Sequence, residues 1–409
     1  MQGSNATANP SYAREKINVA ILVTTQTLFM IASITVMTLS GVVGAQLSPE
    51  PGLATLPIAL MMVGTLISTL PASLFMKRVG RRLGFVVGAV LGGVLGGLVS
   101  FAGIAAGAFW LFCVGSMLLG LYQGFAMYYR FAAADVSSPG FRSKAISYVM
   151  AGGVAAAFLG PWNASLLTEL VPAVPLGGPY LMIALLAVVA LGLLAFLRVP
   201  PQGEPAVGDL SRPISVIARQ PAFIVAVLCS AVGYGVMALV MTATPLAMRA
   251  RGFDMGQVAF IMQWHVLGMF VPSFFTGSLI SRFGMPRVAL VGAGLLVLAV
   301  VVATLGTTLA YFWLALVLLG VGWNFLFIGG SALLATLHSE TERGKVQGVN
   351  DMIVFALVAF GSLMAGSLHH WLGWISLNLL MLAPVAVVLA AIVWLQRRSV
   401  GMRESGTTA

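Results

Sequence analysis

The sequence predicts an all-α membrane protein of twelve transmembrane helices, arranged as two pseudo-symmetric six-helix bundles. Three observations carry that expectation. The chain is 59% hydrophobic and only 8% charged, whereas a soluble domain carries about 25% charged residues; it has too few charges to coat a water-facing surface. Apolar runs of roughly 20 residues recur along it, each long enough to cross ~30 Å of hydrocarbon as a helix. Lysine and arginine collect in alternate connections between those runs. The runs do not alternate apolar and polar residues, which argues against a β-barrel.

In order, the first six spans are expected at 18–45, 53–76, 83–105, 107–133, 143–168 and 179–198, and the second six at 221–247, 256–281, 287–308, 310–336, 346–369 and 373–395. The first span is long and lacks a small-residue cleavage site, so it reads as a retained helix and not a signal peptide. Between the sets, "VPPQGEPAVGDLSRPISVIARQ" holds prolines, glycines and charges and reads as a linker. The expected units are residues 1–198 and 221–409, joined by a cytoplasmic linker at 199–220. Placing the N-terminus inside puts every Lys and Arg but Arg249 and Arg251 on the cytoplasmic side. That bias predicts a bacterial cytoplasmic-membrane protein with both termini cytoplasmic. It also accounts for the net charge of +10, so nucleic acid is not an expected partner; membrane lipid is. The two cysteines, Cys113 and Cys229, exclude a disulfide framework and a cysteine zinc site.

The halves repeat. "SLFMKRVGRRLG" (73–84) closes the second span and opens the third; "GSLISRFGMPRV" (277–288) does the same for the eighth and ninth, at an offset of 204 residues. Two parallel six-helix repeats are one plan of membrane transporters. The 73–84 stretch resembles the signature loop of the major facilitator superfamily, G-x-L-x-D-R-x-G-R-R. It keeps Arg78, Gly80, Arg81 and Arg82 but has Ser73 for the glycine and Lys77 for the aspartate. In the family that aspartate helps lock one conformation, so the lock is in doubt here while the fold is not. Arg78 is a gating candidate on this resemblance.

In "MALVM" (237–241) and "HVLGM" (265–269), Met237 and Met241, then His265 and Met269, are spaced four residues apart. Each pair therefore lies on one helix face. At 1.5 Å per residue, Met237 and His265 sit roughly 15 Å and roughly 14 Å below the outer ends of the seventh and eighth spans. Three thioethers and an imidazole, with Met237 and His265 at matched depth, form a ladder of soft, neutral ligands, which suits Cu(I) better than magnesium, calcium or manganese. The spacing resembles the CcoA-like copper importers of bacteria, which carry M-x-x-x-M on helix 7 and H-x-x-x-M on helix 8. That resemblance implies copper binding by Met237, Met241, His265 and Met269. It further implies copper uptake feeding a cbb3-type cytochrome c oxidase. Copper, as Cu(I), is then the cargo, with no resident cofactor and with a periplasmic or cytoplasmic copper carrier as a candidate partner.

Each motif alone has a plainer reading: methionine packing in a chain with 21 of them, and a histidine satisfied by an interhelical hydrogen bond. Other candidates are weighed the same way. The 204-residue offset maps Met241 onto Met37 and His265 onto Met61, which would complete the metal site from the other half or simply pack, with Met30 and Met62 ranking lower. Cys229 is a further metal candidate or a small buried hydrophobe. Asp351 is a candidate for proton coupling or gating. Arg130 and Asp135, five residues apart, are expected to pair with neighbouring helices near the cytoplasmic gate. Gln26, Gln123 and Asn324 lie on cavity-lining helices and can bind a solute or each other. His369 and His370 close the eleventh span as an interfacial cap or a metal-capture point. Glycine runs such as "GAVLGGVLGGL" (88–98) favour close helix packing and the rocking of one half on the other. No phosphate-binding glycine loop and no nucleophile–base pair is recognisable, so neither ATP hydrolysis nor an enzyme is expected. The alternative to a copper importer is a transporter of a small organic solute or drug. In that reading activity depends on Gln123 and Asn324 and survives Met237→Leu.

Overall fold

A computed structural model of the chain describes residues 14–138, 141–199, 212–339 and 342–404. The first six helices are α1 (Glu15–Leu47), α2 (Leu56–Val79), α3 (Arg81–Ala105), α4 (Phe109–Asp135), α5 (Arg142–Leu166) and α6 (Gly178–Leu194). The next four are α7 (Pro221–Arg249), α8 (Met255–Phe283), α9 (Met285–Leu305) and α10 (Leu309–Ala335). A continuous stretch from Arg343 to Leu380 is broken at Gly373, whose φ of 72° no helix can hold. It divides into α11 (343–372) and α12 (from 374), and α12 bends at Met381 before running on to Glu404. The described residues build twelve spanning helices and contain no strand, as the apolar runs predict. Of the expected linker, 200–211 lie outside the described residues; its remaining part forms the short helix Ile214–Ala218.

Local chemistry sets the helix ends. Gly80 (φ 89°) ends α2 and Gly284 (φ 83°) ends α8, so the two repeated loops turn by the same left-handed glycine at the same offset. Asp254 and Gln257 form a capping box that starts α8. Pro272 interrupts α8 between Phe270 and Ser273. The glycines of 88–97 let α3 lie close to its neighbours: Gly92 sits against Tyr122 of α4, and a Cβ on Gly97 would lie 2.8 Å from the Tyr180 carbonyl of α6.

Glycine also marks the internal repeat. Where α2 crosses α4, Gly120 rests on the Met61 carbonyl; where α8 crosses α10, a Cβ on Gly320 would lie 2.6 Å from the His265 carbonyl. Large apolar side chains such as Trp110, Phe274, Phe360 and Trp371 stand outward, a surface suited to lipid.

The end of the bundle that carries Lys77, Arg81 and Arg142 is here called the basic end. At the opposite, far end, the first and last six helices touch closely. Gly366 N donates to Thr55 Oγ1 (3.0 Å), Ser367 Oγ donates to the Gly52 carbonyl (3.0 Å), and Thr55 Oγ1 donates to the Leu363 carbonyl (3.3 Å). These bonds tie α11 to the start of α2. Across the rest of that seam α1 meets α7 and α5 meets α8. The far end is closed, and the space between the halves opens at the basic end.

Candidate functional site

That space is a cavity of about 820 Å³ between α2, α4 and α5 on one side and α10 and α11 on the other. The first wall is polar and cationic, with Ser73, Lys77, Tyr128, Arg130 and Arg142; Arg81 from the start of α3 joins them. The second carries Phe327, Ser331, Gln347, Asn350 and Asp351. Arg81 Nε is 2.6 Å from Asp135 Oδ2, an ion pair joining α3 to α4. With that pair neutral, Lys77, Arg130 and Arg142 outnumber Asp351. Arg130 lies near enough to act electrostatically on Asp351, and its guanidinium sits 4.8 Å from the Phe131 ring centroid. Asn350 Nδ2 donates to Asp351 Oδ1 (3.1 Å).

At the basic end, outside the spans, Arg212 donates from its backbone N and Nε to Glu342 Oε1 and from Nη2 to Oε2, each at 2.8 Å. Ser339 N adds a fourth bond (3.0 Å). The guanidinium and these N–H donors hold the Glu342 carboxyl well below the usual carboxylate range. The pair fastens the segment entering α7 to the connection between α10 and α11.

Near half-depth, four aromatic rings from α7, α10 and α11 converge. Trp323 and Phe327, one turn apart, stack at 5.2 Å and 11°. Tyr234 meets them edge-on, at 5.2 Å and 69° to Trp323 and 5.5 Å and 79° to Phe327. Phe355 lies 6.3 Å from Tyr234. Phe327 also lines the cavity, and the other three rings back it from within the last six helices. The sequence reading passed over it; the four-residue spacing of Trp323 and Phe327 on a cavity-lining helix is the signal that could have found it.

The expected copper ladder lies elsewhere. Met237, Met241, Met269 and Cys229 are buried in the apolar core of the last six helices. The helix α7 packs chiefly on α11 and α10, α8 on α10 and α5, and the two touch each other little. His265 is fully buried, and its Nδ1 lies 2.8 Å from the Leu316 carbonyl of α10. A carbonyl only accepts, so Nδ1 carries the proton. Met61 and Met62 are buried among the first six helices, Met61 at the α2–α4 crossing. Met37 does reach the seam and packs on the cores of both halves; Met30 packs beside Phe270.

Among the polar candidates, Arg130, Asp135 and Asp351 line the cavity, and Asp135 pairs with a neighbouring helix as expected. Asn324 faces away from it and is fully used. Its Nδ2 donates to the Met269 carbonyl and Ser273 Oγ (2.6 Å each), and its Oδ1 accepts from Thr276 Oγ1 (2.7 Å). It splints α8 at the Pro272 break. Gln26 and Gln123 are half-buried and do not line the cavity. Arg78 is exposed. His369 and His370 lie at the far end of α11, His370 against Trp371.

The sequence profile of the Major Facilitator Superfamily matches residues 21–271 and again 226–408. The chain belongs to this superfamily. It is therefore a multi-pass membrane transporter and not an enzyme. It is 41% identical over 378 residues to the riboflavin transporter RfnT of Brucella anthropi, covering 92% of this chain and 95% of that one. Two uncharacterised transporters of the superfamily from Bacillus subtilis are also similar: YdeG at 27% identity over 86% of each chain, and YddS at 25% over 87% of this chain and 86% of that one. The crystal structure of the human organic anion transporter MFSD10 (TETRAN) superposes with a TM-score of 0.65 at 16% identity. It covers 94% of this chain and 100% of that one, which speaks for the fold alone.

RfnT corrects the reading of function. Copper import, a copper cargo and a copper carrier as partner give way to transport of a small organic solute, the alternative reading. The two spaced motifs misled because a four-residue Met or His spacing is also what helix-face packing produces.

Proposed function

We propose that this protein moves riboflavin across the bacterial cytoplasmic membrane by alternating access. The observation that carries the proposal is the 41% identity to a riboflavin transporter over 92% of the chain. The cavity supports it. Riboflavin is a neutral, flat, tricyclic ring bearing a hydroxylated chain, and it needs aromatic surface and hydrogen-bonding groups together. About 820 Å³ walled by Phe327, Tyr128, Ser331, Gln347 and Asn350 offers both, at a size usual for small-molecule sites.

In this reading the basic end faces the cytoplasm, since Lys and Arg concentrate there. Both termini and the 199–220 linker are cytoplasmic, and the cavity is open inward. Units 1–198 and 221–409 rock about the seam. Parting of the Thr55–Leu363 and Gly52–Ser367 contacts would open the far side.

The test is accumulation of radiolabelled riboflavin by riboflavin-requiring cells expressing the protein, against an empty vector. Uptake that saturates and is competed by unlabelled riboflavin supports the proposal. Accumulation equal to the vector, with the protein present in the membrane, overturns it.

A further inference from the structure

Two features of the cavity wall point to how a flat heterocycle is held. Phe327 faces the cavity with one face of its ring covered by the parallel Trp323, and Tyr234 stands edge-on to both. A ring held this way from behind and from the side presents a fixed aromatic surface to the cavity. Another flat π-system can extend the stack. The second feature is independent. Asn350 is only 3% exposed yet lines the cavity. Its Nδ2 donates to Asp351 Oδ1, which as a carboxylate oxygen fixes the orientation of the amide. Its Oδ1 is then a buried acceptor with no donor among the described residues. Buried polar atoms are rarely left unpartnered, so this one calls for a donor that arrives with the substrate. Asn350 of α11 and Phe327 of α10 line the same cavity, so the acceptor and the aromatic ring border one space.

We propose that Phe327, backed by Trp323 and Tyr234, stacks the substrate ring, and that Asn350 Oδ1 accepts the N–H of an imide on that ring. The subsite therefore selects planar heterocycles carrying a ring N–H between carbonyls. This rests on the riboflavin reading and adds which atoms discriminate. The hydroxylated chain of the substrate then extends toward the polar wall with Tyr128 and Arg130.

The experiment is binding of riboflavin to the purified full-length protein, read by quenching of flavin fluorescence, which stacking on an aromatic ring produces. Phe327→Leu is expected to weaken binding about tenfold, the order of one stacked ring, while Phe327→Tyr keeps it within about threefold. The wild type is expected to prefer riboflavin over its analogue methylated at the imide nitrogen by about tenfold. That preference should vanish in Asn350→Ala. Equal binding by folded Phe327→Leu and wild type overturns the platform and leaves the transport reading intact. Equal affinity of the unaltered protein for both flavins overturns the role of Asn350, with no variant needed. Failure of the wild type both to bind riboflavin and to accumulate it overturns the transport reading itself.

Discussion

His265 and Leu316 are joined across α8 and α10 by a 2.8 Å bond from the ring Nδ1 to the backbone carbonyl. Directly beside it, Gly320 lets the two helices approach until a Cβ would meet the His265 carbonyl at 2.6 Å. The histidine is thus part of a helix crossing. His265→Leu is expected to lower the stability of the detergent-solubilised protein by about 1 kcal/mol, the usual worth of one interhelical bond in membrane proteins. Gly320→Ala should cost about 1–3 kcal/mol by overpacking the crossing. Thermal unfolding read by size exclusion measures both. A His265→Leu protein with an unchanged melting temperature would contradict the assigned role.

Met237→Leu and Met241→Leu conserve volume in the apolar core where both residues lie. Such swaps cost less than about 1.5 kcal/mol. Riboflavin uptake in each variant should stay within about twofold of wild type at matched membrane levels, an order set by that small cost. Abolished uptake in both would return these methionines to the transport path.

Asn324 spends its whole amide on Met269, Ser273 and Thr276. Asn324→Leu strands the Met269 carbonyl beside the Pro272 break, while Ser273 is exposed and Thr276 keeps its bond to the Pro272 carbonyl. A loss of about 1–3 kcal/mol in stability is expected, the cost of a stranded buried polar group. Direct riboflavin contact would instead show as a raised KM with normal melting.

The Arg81–Asp135 pair joins the ends of α3 and α4 at the cavity mouth, with the aspartate side chain 32% exposed. Asp135→Asn keeps the shape and removes the charge. It should cost about 1 kcal/mol, a charge-assisted bond that is partly screened. The exchange Arg81→Asp with Asp135→Arg should recover part of the stability lost in either single charge reversal, read as melting temperature. No recovery would show that the two residues act separately.

Glu342, held below the usual carboxylate range by Arg212, gives a pH dependence of known sign. A depressed carboxyl stabilises the fold above its unfolded-state pKa and loses that contribution as pH falls through its folded value. The fastening of the segment at Arg212 should therefore be constant from neutral pH down to the ordinary carboxylate range and weaken only in stronger acid. Protease cleavage near Ile214–Ala218 reads it, and Glu342→Gln should show the acid behaviour already at pH 7.

Much of this molecule is legible along the chain. Twelve helices follow from apolar runs long enough to span lipid, because a buried backbone in hydrocarbon has little choice but to satisfy its own hydrogen bonds. The repeat follows from "KRVGRR" and "SRFGMPR", where one glycine each supplies the turn that Gly80 and Gly284 show. The break at Gly373 separates the last two helices close to where the sequence separates them.

The site was not legible in that way. Spacing tells which side chains share a helix face, and it put Met237 with Met241 and His265 with Met269 correctly on common faces. It does not tell what that face meets. Rotation and packing partner are set by contacts between residues far apart in sequence, such as His265 with Leu316 and Asn324 with Met269. Those contacts turned the histidine to a helix crossing and the asparagine to a kink. They also brought Tyr234, Trp323, Phe327 and Phe355 from three helices into one cluster, whose Phe327 lines the cavity. Local chemistry thus determined the helices, their ends and their duplication, while the direction each polar or aromatic side chain faces was decided by tertiary packing.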